Sequence, residues 1–289
     1  MPPISKTTLA ISALILGSAA LAFAPIFVRL SDTSPAASAF WRMALAAPLL
    51  WLWVARSPQR AHAAAPTPWM LLILAGAFFA ADLAALHESI RLTSVANASL
   101  ELNLAPLFVT LGAWLLFRQR VSRVFLAALI ITLAGAAMTI GPNVNASSTA
   151  LTGDGLGVLA GLFYACYMLT IKPVTATEST ARIMAVNTTA AAILLAPYAL
   201  MSGGALLPQS GTGWLMLAGL AVMVHVVGQS LVAYGFAVLP AQLSSVNLLL
   251  QPVFAALYAW TLLGEAMTPL QIAGALVVLA GIYLAKRGC

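Results

Sequence analysis

ASLELNLAPLFVTLGAWLLFRQRVSRVFLAALIITLAG, residues Ala98 to Gly135, occurs twice in this chain. Shifted by 146 positions it lies, without a gap, on SSVNLLLQPVFAALYAWTLLGEAMTPLQIAGALVVLAG, Ser244 to Gly281, with thirteen of 38 pairs identical. Leucine and alanine supply some of those matches by chance, so the rarer residues carry the comparison. Pro106 falls on Pro252, Phe108 on Phe254, Trp114 on Trp260 and Gly135 on Gly281. Each copy reads as two apolar helices joined by a short turn. A repeat offset by half the chain implies a duplicated architecture, and the remaining sequence can be ordered around it.

Composition decides the class. Hydrophobic residues make up 62% of the 289 and charged residues 7%, against roughly 25% charged in an average soluble domain. A soluble core cannot bury that much apolar surface, so the chain uses lipid as solvent. Cys166 and Cys289 form neither a disulfide framework nor a metal-ligand spacing. The net charge of +6 is spread over helix ends and short loops, which fits orientation in a membrane and excludes a nucleic-acid surface.

Ten apolar segments of spanning length follow one another, near 8–28, 36–55, 69–90, 97–117, 123–141, 154–172, 182–201, 213–236, 242–262 and 269–286. No strand-like alternation appears, so the expected fold is all-α with ten transmembrane helices. The first segment, with Lys6 before it and Ala22-Phe23-Ala24 after, has some features of a cleavable signal; the duplication requires it as a retained span. With the N-terminus inside, Lys6, Arg56, Arg60, Arg118, Arg120, Arg123, Lys172, Arg182, Lys286 and Arg287 fall in inner loops, and only Arg29 and Arg91 outside. This bias places both termini in the cytoplasm and the chain, as a multi-pass protein, in the plasma membrane. Residues 1–145 and 146–289 then hold five spans each. An odd number means that the two repeats are inverted, the arrangement of secondary transporters that bind near the midplane and work by alternating access.

Pro35 with Arg42 in span two, Pro106 and Pro252 in spans four and nine, and Leu263-Gly264-Glu265 before a helix carrying Gly274 and Gly281 resemble the drug/metabolite transporter superfamily. The chain is similar over its whole length to the ten-helix EamA type, and its layout to the branch of YddG-like amino-acid exporters. The resemblance implies export of small metabolites, often aromatic or neutral amino acids, through a cavity lined by both halves. Phe117-Arg118-Gln119 stands where the first repeat should carry Leu-Gly-Glu, so half of that motif is missing.

Polar residues inside spans are costly, and they face a cavity or a partner. In the first half these are Arg42, Asp82, His87, Glu88, Asn97, Glu101 and Asn103. At about 1.5 Å per residue, Arg42, Asp82 and Glu101 all fall in the outer half of their spans, within mutual reach. Two readings stand: a buried ion pair that holds helices together, or a cation for a substrate carboxylate beside an acid that titrates during transport. His87, near the outer end of span three, is a gate or stacking partner, or a satisfied interface histidine. The second half offers neutral groups. His225 and Gln229 share a face of span eight; Ser244, Asn247 and Gln251 share one of span nine, in line with Phe254 and Tyr258. Inversion puts this second cluster toward the inner side, unless these groups only bond between helices. Tyr164 and Tyr167, beside the Gly153, Gly157 and Gly161 packing stripe, could line an apolar cavity, with Phe23 as the counterpart from span one. Pro106 and Pro252 kink their helices at equivalent positions and are the expected hinges.

Other classes lack their chemistry. His87-Glu88 has Arg91 where a zinc protease needs a second histidine, and no nucleophile elbow, Cys/His cluster or nucleotide loop occurs. A membrane-embedded enzyme is thus the weaker alternative, and neither cofactor nor metal is called for. A channel would show a ring of repeated polar groups, whereas the halves are chemically unlike. The sequence reads as a secondary transporter exporting aromatic and other neutral amino acids, or other metabolites or drugs. Its partners are the substrate and the bilayer, and a homo-oligomer is compatible with it.

Overall fold

Serine and proline mark where helices begin. In the computed structural model, which describes residues 5–57, 68–92, 103–140, 148–264 and 267–288, the hydroxyls of Ser5, Ser34, Ser179 and Ser210 each accept a first-turn backbone N–H. These caps satisfy donors that the helix start leaves free. They open α1 (Lys6–Leu21), α3 (Pro35–Arg56), α8 (Thr180–Met201) and α9 (Gly211–Val238). The remaining helices are α2 (Ala24–Leu30), α4 (Trp69–Leu92), α5 (Ala105–Phe117), α6 (Arg123–Ile140), α7 (Ser148–Val174), α10 (Ala241–Asn247), α11 (Leu250–Leu263) and α12 (Pro269–Gly288). Among the described residues there is no strand. Nine helical stretches among the described residues are long and apolar enough to cross a membrane, and α5 is a shorter apolar helix. The rest of expected span four, with Asn97 and Glu101, lies outside the described residues.

Three spans are not the regular helices that their apolar runs suggest. Span one breaks at Ala22-Phe23 between α1 and α2, and span nine breaks at Leu248-Leu249 between α10 and α11. In span eight, Leu220–Gln229 is wound as a π-helix, a winding that is rare and concentrated at functional sites. The turn Asn103-Leu104 precedes α5 as Leu248-Leu249 precedes α11. Pro106 and Pro252 therefore do not sit at mid-helix kinks, as the sequence suggested. Each stands in the first turn of a new helix, where a missing N–H costs least. Both turns are tightened by three-residue bonds, Leu107 N–H to Leu104 O at 2.9 Å and Gln251 N–H to Leu248 O at 2.9 Å.

The two breaks that involve spans one and nine are stitched to each other. The Ala19 carbonyl, which loses its helical donor when Phe23 N–H turns to Ala20 O, accepts from the Tyr258 hydroxyl at 3.2 Å. The Asn247 carbonyl, left when Gln251 N–H turns to Leu248 O, accepts from the Ser18 hydroxyl at 3.2 Å. A freed carbonyl in lipid must find a donor within the protein. Here each broken helix supplies the other's.

The departure from Leu-Gly-Glu also has a backbone meaning. Gly264 ends α11 in the left-handed region (φ 71°), its N–H bonded to Ala259 O. At the equivalent position Arg118 ends α5 with φ 52°, its N–H bonded to Ala113 O. The first half keeps the same helix stop without the glycine that makes it easy, at a strain of about 1 kcal/mol.

The largest core cluster lies where α1, α3, α4, α7, α8 and α9 meet. The repeat's last helices, α6 and α12, pack on each other separately. A side chain at Gly135 would meet Val278 N at 2.7 Å, one at Gly274 would meet Thr139 N at 2.7 Å, and one at Gly281 would meet Thr132 N at 2.9 Å. Backbone touches backbone along this seam, and the contacts run in opposite sequence order, so the two helices are antiparallel.

Candidate functional site

Phe79, on the buried face of α4 and 2% exposed, is the hub of the most polar part of the core. Tyr167 of α7 lies 4.9 Å from it centroid to centroid, His225 of α9 5.5 Å and Tyr164 of α7 6.3 Å. The Arg42 guanidinium carbon of α3 is 5.8 Å from the same ring, within cation–π range. Gly76, one turn earlier on α4, makes this convergence possible. A side chain there would overlap the Asn187 backbone and Ala190 of α8, so its absence lets α4 and α8 touch.

Around Phe79 some polar groups are satisfied and others are not. Gln229 reaches both tyrosine hydroxyls at 3.5 Å. The Thr188 hydroxyl lies 2.8 Å from His225 Nε2 and 3.3 Å from Asn187 Oδ1. By contrast Arg42 Nε, Asp82 Oδ1 and His225 Nδ1 are buried without a hydrogen-bond partner. Among the described residues no ion pair joins Arg42 to Asp82, although Asp82 is only 4% exposed. Arg42 and Asp82 thus do not form the ion pair with each other that the sequence allowed; a pair with Glu101 falls outside the described residues. A guanidinium nitrogen, a carboxyl oxygen and an imidazole nitrogen without hydrogen-bond partners converge on an aromatic wall, and a ligand bearing both charges is the natural complement.

Six residues named from the sequence meet here: Arg42, Asp82, Tyr164, Tyr167, His225 and Gln229. Two separate vestibules were expected; His225 and Gln229 instead join the first-half charges at one place. The π-wound stretch carries both residues, and Gly17 of α1 lies against its Gly228. The other candidates lie elsewhere. His87 is buried and its Nδ1–H donates to the Leu83 carbonyl of its own helix, which is the satisfied reading. Glu88 is tied to Arg91 at 2.9 Å and to the Tyr198 hydroxyl at 3.1 Å. Phe23 stacks on Tyr258 at 4.0 Å, at the break in span one. Asn247 donates to Leu243 O, and Gln251 is half-buried beyond the break, so the shared face proposed for Ser244, Asn247 and Gln251 is interrupted. Asn103 stands in the turn before α5. Glu101 lies outside the described residues.

Sequence reasoning missed Phe79, Asn187 and Thr188. Asn187-Thr188 carried a signal, a polar pair inside an apolar run, of the same kind as Asp82. Phe79, one aromatic among many apolar residues, carried none. The Trp41 indole N–H donates to Leu206 O at 2.8 Å and its ring meets Trp214 at 5.2 Å, which fastens α3 to the start of α9.

The sequence matches the EamA-like transporter family twice, over residues 8–141 and 151–287. The chain belongs to this family. An uncharacterized transporter of Archaeoglobus fulgidus is 31% identical over 199 residues, 69% of this chain and 70% of that protein. The pseudopaline exporter CntI of Pseudomonas aeruginosa is 27% identical over 258 residues, covering 89% and 88%. A probable amino-acid metabolite efflux pump of Salmonella typhimurium is 27% identical over 197 residues, 65% and 66% of the two chains. A crystal structure with 17% identity superposes with a TM-score of 0.78 over 98% of this chain and 97% of the other, which establishes the shared fold. The protein is a multi-span membrane transporter of a small molecule, not an enzyme.

Proposed function

We propose that this EamA transporter exports small zwitterionic metabolites, foremost aromatic and other neutral amino acids, and that the Phe79 cluster is where they bind. The observation that carries the reading is the set of partnerless polar atoms on Arg42, Asp82 and His225. A substrate carboxylate completes Arg42, its ammonium completes Asp82, and an aromatic side chain stacks in the Phe79–Tyr164–Tyr167 wall. Those residues come from α3 and α4 on one side and from α7, α8 and α9 on the other, the two five-helix halves of the duplicated chain. Relatives named as a pseudopaline exporter and an amino-acid metabolite efflux pump are in keeping with outward metabolite transport, as is the YddG-like branch resemblance.

In this reading the halves run oppositely across the plasma membrane with both termini in the cytoplasm, and they exchange exposure of the cluster. The antiparallel pairing of α6 with α12, equivalent helices of the two copies, supports inversion. Phe79, Asp82, Tyr167, His225 and Gln229 are buried and Arg42 is half-buried, so access to the cluster requires helices to part. The breaks at Ala22-Phe23 and Leu248-Leu249 and the turn Asn103-Leu104 before α5, the latter two followed by Pro252 and Pro106, are the places to bend. Glu101, expected close to Arg42 and Asp82 from its depth, is the candidate for proton coupling.

The test is counterflow in proteoliposomes with labelled phenylalanine, tyrosine, leucine and alanine. Saturable exchange that fails in Arg42→Gln supports the assignment. Flux carried only by non-zwitterionic metabolites or drugs overturns the amino-acid reading while leaving the transporter intact. Uphill flux driven by a pH gradient, lost in Glu101→Gln, marks coupling; flux indifferent to the gradient marks facilitated transport.

A further inference from the structure

A second polar site lies at one end of the bundle, away from the Phe79 cluster. The turn after α5, the end of α7, the α9–α10 junction and the end of α12 enclose a cavity of about 450 Å³. Gln119, Arg120, Ser122, Lys172 and Gln242 give it a polar wall, and Phe125 part of its floor. The Lys172 ammonium donates to the Phe236 carbonyl in the last turn of α9 and to the Leu239 carbonyl just past its end, which leaves it a third N–H. Arg120 forms no ion pair among the described residues. The described lining thus holds two cations and no acid.

Two amides make this more than a basic surface. Gln242 is 5% exposed, and its Nε2 is a buried donor with no acceptor. Gln119 Oε1 is a buried acceptor with no donor. A buried amide without a partner is destabilising by about 1–3 kcal/mol, a cost that a ligand removes. Two cations and a vacant N–H call for an oxyanion. The vacant acceptor calls for an O–H on or beside that anion. The duplicated sequence points the same way. Where the second copy carries Glu265-Ala266, the first carries Gln119-Arg120, replacing one negative charge by one positive at this turn.

We propose that this cavity is a phosphate-class anion site, which takes either hydrogen phosphate from solution or the phosphoglycerol headgroup of an anionic lipid. Both present an oxyanion with a neighbouring O–H. Charge counting assigns this end of the bundle to the cytoplasm, where a headgroup or a soluble phosphate can reach it.

The experiment uses the full chain. In detergent, inorganic phosphate is titrated against melting temperature, with chloride at equal ionic strength as control. In nanodiscs, phosphatidylglycerol is compared with phosphatidylcholine by native mass spectrometry of retained lipid. Arg120→Gln, at an exposed position, is expected to weaken the responding probe about tenfold, and Gln119→Glu, which restores the second copy's charge, to abolish it. Lys172 is left unchanged because its bonds close α9. A response to phosphate alone assigns the site to a soluble anion, and retention of phosphatidylglycerol alone assigns it to lipid. No response from either probe, or a response that both variants leave intact, overturns the proposal. The readout is binding without flux, so failure of amino-acid transport does not touch it.

Discussion

The α6–α12 seam and the Phe79 cluster both bury polar side chains inside the bundle, and they treat them in opposite ways. In the seam, the Thr132 hydroxyl donates to Ala128 O at 2.6 Å and the Thr139 hydroxyl to Gly135 O at 2.9 Å. Each polar group is closed on its own helix, and glycines bring the backbones together. In the cluster, Arg42, Asp82 and His225 keep atoms without partners although five helices surround them. Polarity within a span therefore does not separate packing from function. Whether the protein itself completes the group does.

The largest effect that this contrast predicts is in the seam. Gly274→Leu drives a branched side chain into Gly135 O and Thr139 N, both 2.7 Å from the ideal Cβ position and both on the neighbouring helix. Backbone cannot yield as a flexible side chain does, so overpacking of about 3 kcal/mol or more is expected. Size-exclusion chromatography should show little monodisperse protein. A normal yield with normal flux would mean that the seam is looser than it is drawn.

The second effect inverts the first. Replacing Arg42 and Asp82 together by Met and Leu removes two groups that the protein leaves uncompleted. Melting temperature should hold or rise, because apolar replacement of buried charges is often neutral or stabilising by about 1–4 kcal/mol, while amino-acid flux falls about a hundredfold, some 2.7 kcal/mol. Stability gained with transport lost is the signature of a binding site. A double variant that melts far below the parent would return both charges to a structural role.

Much of this contrast could be anticipated, and the reasons for the remainder are physical. Span count and repeat were legible because lipid imposes length and apolarity on every crossing segment, and because Pro, Trp and Gly at matched positions are improbable by chance. Arg42, Asp82, His225 and Gln229 stood out for the converse reason, their cost in an apolar run. That they meet could not be read, since it depends on how α4 and α9 are rotated and on a π-wound stretch around His225 with no local sequence mark. Pro106 and Pro252 pointed to the right region. They did not show that each proline stands in the first turn of its helix, nor that span nine breaks ahead of Pro252, because that break depends on a donor from another span. The partners of Ala19 O and Asn247 O lie 239 and 229 residues away, beyond any local pattern.

Those reciprocal bonds predict a third, intermediate effect. Tyr258→Phe and Ser18→Ala each leave one break carbonyl without its donor, at roughly 0.6 kcal/mol for an average interhelical hydrogen bond in a membrane. Melting should shift little. Exchange rate should change several-fold if the two breaks bend during the cycle, with substrate affinity unaltered, and stopped-flow counterflow separates the two. Altered affinity at an unaltered rate would move Tyr258 from hinge to binding surface.

The smallest expected effect is the sharpest control. Thr132→Val keeps the shape of a fully buried side chain and deletes a hydroxyl that, among the described residues, bonds only to its own helix. That bond competes with the backbone ladder rather than joining two helices. The loss should therefore stay within about 0.5 kcal/mol in stability, with flux equal to the parent's. Thr188→Val makes the same chemical change in the cluster, where the hydroxyl reaches His225 Nε2 at 2.8 Å. There it strands a second imidazole nitrogen and should cost flux at least tenfold. The two variants are the same edit at two buried threonines, so only the surroundings differ. Equal outcomes would dissolve the distinction between seam and site; unequal ones would locate transport in the groups that the protein leaves open.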